Sequence, residues 1–216
     1  LRKGRTKARE PNRIQPVPEA HIDAVRPFVA RQVWAMARLQ LLTGARGGEL
    51  VKLHPTDLDT TRDVWTASLE EHKTSHHGRS RIIYFGPQAQ DILRDFLDRP
   101  LNDYLFDPKE AERERRAEAP THRRDNQKPT PRKTNRVIGD HYTTDSYRRA
   151  IERACSKAGV PKWTPHQLRH NAATEIRREH GLEAAQVILG HASADVTQIY
   201  AEVDDSKARQ VVKAMG

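Results

Sequence analysis

The chain has 216 residues, room for one sizeable hydrophobic core, and carries a formal net charge of +9 with a pI near 9.9. That balance favours polyanionic partners, nucleic acid first, although a basic solvated surface alone would produce the same numbers. The lone Cys155 excludes an intrachain disulfide and a cysteine-based zinc cluster, which points to a reducing, cytoplasmic setting, and no apolar run reaches the ~20 residues of a membrane span.

The chain begins at Leu1 rather than Met, and its basic start, LRKGRTKARE, leads into no signal-peptide core. It is therefore expected to be a piece of a longer protein with an upstream neighbour. Residues 1–16 are rich in Arg and Lys without apolar periodicity and read as a basic linker or tail; a single domain is expected over 17–216. Pro18 suits a first helical turn, with Ile22, Val25 and Val29 behind it at near-helical spacing. A second helix is predicted from Arg31 to Thr43, its inner stripe formed by Val33, Met36, Ala37, Gln40 and Leu41, and ended by Gly44.

Over 58–85 the pattern changes, because VWTASL and RIIYF are β-rich and flank the polar EHKTSHHGRS; this predicts a small antiparallel sheet. A helix over 87–97 follows, with Ala89, Ile92, Leu93 and Phe96 on one face. Residues 107–140 are crowded with charges and prolines and read as an insertion or long loop, its first half a short solvent helix held by opposite charges four apart. Helical patterns return at 144–158, 164–178, 183–189 and 194–200, and a last amphipathic stretch spans 204–215. The expected fold class is mainly α with a small antiparallel β-sheet.

Three segments carry chemistry. TGARGGEL sets Arg46 just after a Gly-marked turn with Glu49 three residues on, a spacing that an ordinary surface ion pair would also satisfy. PHQLRH opens a helix behind Pro165 and brings His166, Arg169 and His170 onto one face. Such a turn can set a proton-transfer group beside a bidentate phosphate clamp, the equipment of phosphoryl transfer without a bound metal. ILGH puts His191 after Gly190, and Tyr200 lies nine residues further on in VTQIYAEV.

In content and order these segments resemble the tyrosine recombinases, or phage-type integrases, including the Xer-like chromosome-dimer resolvases. That family shows an Arg in a TGxRxxE context, a Lys in a β-hairpin, an HxLRH helix, an LGH turn and a nucleophilic Tyr some nine residues beyond. Here they correspond to Arg46 with Glu49, Lys73, His166 with Arg169, His191, and Tyr200. The likeness runs from about Pro18 to Met215 and departs from the family pattern in the length of the charged 107–140 stretch.

The resemblance implies a DNA breaking-rejoining catalytic domain in which Tyr200 attacks a phosphodiester and forms a 3′-phosphotyrosine. Arg46 and Arg169 would neutralise the phosphate, and His191 would add a hydrogen bond to it. His166 would accept the tyrosine proton, Lys73 would protonate the departing 5′ oxygen, and Glu49 would orient Arg46. Arg79 and Arg81 lie within reach of the same hairpin as Lys73. No metal and no cofactor is expected: His72, His76 and His77 share the hairpin, but no Asp, Glu or Cys stands at a ligand spacing beside them. The implied partner is double-stranded DNA, with self-association into a tetrameric synapse in the longer protein and no membrane. A type IB topoisomerase-like nicking-closing enzyme, a silent DNA-binding module of the same fold and a metal-dependent nuclease are the rival readings.

Overall fold

The computed structural model describes residues 14–69, 81–118 and 137–190. Lys73, His191, Tyr200, the triplet His72, His76 and His77, and the helices predicted at 194–200 and 204–215 lie outside them. Helix α1 (Glu19–Ala24) runs into a 3-10 turn, Arg26–Phe28, that contains Pro27. The apolar spacing that reached Val29 therefore outruns the helix, because a proline there has no N–H to continue the ladder.

Helix α2 (Arg31–Thr43) is the centre of the molecule. Its predicted stripe of Val33, Met36, Ala37 and Gln40 is buried, Leu41 is half-buried, and Gln32, Ala35, Leu39 and Thr43 are buried on its other sides. Every later α-helix packs against it. The one-turn helix α3 (Gly47–Leu50) follows, and then a three-stranded antiparallel sheet forms from β1 (Leu58–Asp59), β2 (Trp65–Leu69) and β3 (Arg81–Phe85) in the order β1-β2-β3. Trp65 pairs with Phe85 and Leu69 with Arg81. Side chains alternate across a strand, so Arg81, Ile83 and Phe85 share the buried face of β3.

Helix α4 (Pro87–Arg94) buries Ala89 and Leu93 against α2, and Phe96 follows them into the core. The first half of the charged segment forms α5 (Pro108–Glu118), in which Glu112 pairs with Arg115 and Arg116 at 2.7 Å. The helix does not rest on its own charges alone. Glu114 and Glu110 accept from Arg31 at the start of α2, at 2.7 and 3.0 Å, Arg99 reaches Glu110 at 3.2 Å, and Ala111 is buried.

Helix α6 (Thr144–Ala158) begins at a reciprocal Thr143–Ser146 cap and buries Tyr147, Ile151, Ala154 and Cys155. Helix α7 (Pro165–Leu189) has Thr164 as N-cap and Pro165 in its first turn. It is interrupted at Gly181 (φ 89°, ψ 177°), between the two helices predicted from the sequence. The end of the expected linker lies along α7: the Asn171 amide pairs with both the N–H and the C=O of Val17, at 2.8 and 2.6 Å, and Gln167 donates to the Gln15 carbonyl. The fold is thus mainly helical with one small antiparallel sheet, as the composition of the segments predicts.

Candidate active site

The turn after α2 is built from inside the core. Gly44 adopts the left-handed conformation (φ 64°), which favours glycine, and a Cβ there would press on the Leu189 side chain where the ends of α2 and α7 meet. Behind the turn, the Tyr147 hydroxyl donates to Gln40 Oε1 (2.9 Å) and Gln40 Nε2 donates to the Ala45 carbonyl (3.1 Å). This buried relay fixes the backbone that leads into Arg46.

Arg46 is the N-cap of α3. Glu49, at the third helical position, accepts the Arg46 backbone N–H on Oε2 and the Arg46 guanidinium on Oε1, both at 2.7 Å. Glu49 is buried while Arg46 remains half-exposed, so the carboxylate works from behind and the guanidinium faces outward. The i,i+3 pair read from the sequence is therefore anchored in the core rather than lying on the surface.

Arg169, 1% exposed, donates from Nη1 to the Gly44 carbonyl (2.5 Å) and from Nη2 to the Leu189 carbonyl (2.7 Å). One guanidinium thus holds the α2–α3 turn against the end of α7, two residues before Arg46 and two before His191. One turn earlier, His166 is exposed and meets the buried His170 edge to face, ring centroids 5.1 Å apart. Its pKa lies below the ordinary imidazole value, because neighbouring protein displaces water and because His170, Arg169 and Arg46 each oppose a further positive charge. The structure therefore brings together Arg46, Glu49, His166 and Arg169 from two distant segments.

Arg81 was grouped by sequence with the hairpin cations, but it is 4% exposed and points inward. Its Nε lies 3.5 Å from Glu49 Oε1, and its Nη1 donates to the Ile188 carbonyl at 2.8 Å and to the Ile82 carbonyl at 2.7 Å. Burial lowers its pKa, with Glu49 opposing and Arg46 adding to that shift. Gly190 (φ 63°) caps α7 directly against it: a Cβ there would lie 2.9 Å from Arg81 Nη1.

Gln40, Tyr147 and Arg81 are the contributors that sequence reasoning missed. The available signals were a Gln on an otherwise apolar stripe and, for Arg81, a cation two residues before Ile83 in a strand whose alternate residues face inward.

Among the described residues no helix is long and apolar enough to cross a membrane. A family model described as the phage integrase family matches residues 22–207. The tyrosine recombinase XerC of Corynebacterium glutamicum is 29% identical over 175 residues, covering 80% of this chain and 47% of its own length. The chain spans about half the length of the XerC relatives it matches. A crystal structure of XerA recombinase superposes with a TM-score of 0.62 at 25% identity, covering 97% of this chain and 67% of that one. A λ integrase dimer bound to a COC′ core site shares the fold at a TM-score of 0.64 and 15% identity, over 92% of this chain and 62% of that one.

Proposed function

The chain belongs to the phage integrase family, and we propose that it is the catalytic domain of a site-specific DNA recombinase acting through Tyr200. The observation that carries this reading is the joining of the Arg46 turn to the Arg169 helix through the Gly44 carbonyl, with the low-pKa His166 alongside.

A phosphodiester resists nucleophiles because its charge repels them, so the site has to offset the charge on the non-bridging oxygens as the transition state forms. Arg46 and Arg169 supply permanent positive charge and planar donors, and His191, next in the chain after Gly190, adds a hydrogen bond to the phosphate. His166 accepts the Tyr200 proton, a role favoured by its depressed pKa, which keeps it neutral at neutral pH. The phenolate oxygen bonds to phosphorus as the bond to the 5′ oxygen breaks, and Lys73 gives its proton to that leaving oxygen. The product is a 3′-phosphotyrosine and a free 5′-hydroxyl; attack by a 5′-hydroxyl reverses the step and rejoins a strand. The residues need neither a metal nor a nucleotide cofactor for this sequence.

Two of the other tyrosines are poorly suited to attack, and the remaining two lie apart from the Arg46–Arg169 cluster's contacts. Burial raises the pKa of Tyr142 and Tyr147, Tyr147 is bonded to Gln40, Tyr84 lies on the outer face of β3, and Tyr104 stacks between His54 and His141. In the longer protein the substrate is double-stranded DNA held with an upstream domain beyond the linker, exchange takes place in a tetrameric synapse, and the setting is the cytoplasm.

The test is a nicked DNA substrate that loses its 5′-hydroxyl fragment by diffusion after cleavage, which traps the covalent adduct. The protein should form the adduct in the presence of EDTA, and Tyr200→Phe should not. An adduct that persists in Tyr200→Phe, or cleavage that needs a divalent cation, overturns the reading.

A further inference from the structure

The two guanidiniums on Glu49 differ in one respect: Arg46 faces outward, whereas Arg81 is sealed in the core. A buried cation carries a large desolvation cost unless it is paired. Here the pairing is spread over Glu49 Oε1, the Ile188 carbonyl and the Ile82 carbonyl. Those partners belong to three pieces of the fold: the helix that presents Arg46, the end of the helix that carries Arg169, and strand β3, which follows Lys73 in the chain. Gly190, immediately before His191, is seated on the same guanidinium.

Charge adds to the geometry. With Arg46 alone, the Glu49 carboxylate would cancel the charge offered to the phosphate. With Arg81 on the same oxygen, the trio of Arg46, Glu49 and Arg81 keeps one net positive charge in a poorly hydrated setting, where charge acts strongly.

We infer that Arg81 is a positioning residue for phosphoryl transfer: it holds the Arg46–Glu49 pair and the end of α7 in one register, and it stops Glu49 from neutralising Arg46. Buried as it is, Arg81 acts through Glu49 and the α7 carbonyl. The inference rests on the proposed phosphoryl-transfer function of the site. A lysine at this position keeps the charge but has no planar fork with which to meet Glu49 and Ile188 together.

Single-turnover adduct formation separates this role from simple scaffolding. Arg81→Gln and Arg81→Lys are compared with wild type on the trapping substrate, and again on a substrate whose scissile phosphate is a neutral methylphosphonate. DNA affinity is measured alongside. Groups that orient a ligand from behind typically matter by roughly 10- to 100-fold, and Arg81→Gln is expected to slow cleavage of the ordinary phosphate by about that factor. Affinity should change by less than about threefold, Arg81→Lys should fall between, and the deficit should shrink to a few-fold on the methylphosphonate, where less charge has to be offset.

Arg81→Gln cleaving at the wild-type rate would overturn the inference, as would a deficit of equal size on both substrates or one that appears wholly as lost affinity. If wild type itself forms no adduct, it is the function assigned to the site that fails, and the two failures are told apart by that control.

Discussion

Each ionisable group of the site is limited in what it can do by its immediate surroundings. Arg169 spends donors on the Gly44 and Leu189 carbonyls, and this bracing fixes the direction of its plane. Arg169→Lys retains a positive charge but cannot brace both carbonyls and meet a phosphate, so adduct formation should fall by roughly 100-fold or more, measured under single-turnover conditions. As the proposed proton acceptor, His166 should set the acid limb of the pH profile. Its pKa is depressed, so the neutral, proton-accepting form persists below the ordinary imidazole value of ~6.5. Cleavage should hold steady as pH falls through that value and decline only below it. An acid limb at or above ~6.5 would mean that another group titrates. The same depression links to folding: below the ordinary value the unfolded chain takes up the proton more readily, so this histidine lowers stability as pH falls through that window.

At the scale of elements, the close approach of α2 and α7 is the joint on which the site depends. Gly44→Ala places a methyl group 2.4 Å from Leu189 Cδ2 in a left-handed conformation, which together should cost at least ~2 kcal/mol and lower Tm by roughly 4–8 °C. Glu114→Gln, which loosens α5 from the partly exposed Arg31, should cost no more than ~1 kcal/mol, and its effect should vanish in high salt. Thermal unfolding checks both. The sequence shows clearly what is local. Helices 31–43 and 144–158 start and stop where their caps and apolar spacing place them, Gly44 ends the first of them, and Arg46 and Glu49 meet because three residues make a helical turn. It hides what is long-range. Nothing near Arg81 announces its partner Ile188, nothing near Gln40 announces Tyr147, and α5 docks through an arginine 79 residues away from Glu110. These contacts exist only once helix packing has chosen neighbours, and neither composition nor periodicity encodes that choice.

For the molecule as a whole, a net charge of +9 should make the proposed DNA binding largely a matter of counterion release. Binding by the 216-residue chain should be weak and fall steeply with salt, and Arg46→Ala should reduce the slope of log affinity against log salt by about one. A salt-insensitive complex would point to a different mode of recognition. Whether one phenol oxygen exchanges with a sugar oxygen on phosphorus, as the proposed function requires, is decided by locating the covalent bond. After trapping, nuclease and protease digestion followed by tandem mass spectrometry should find the nucleotide remnant on the peptide that contains Tyr200. A remnant on any other side chain, or on no peptide at all, would contradict it.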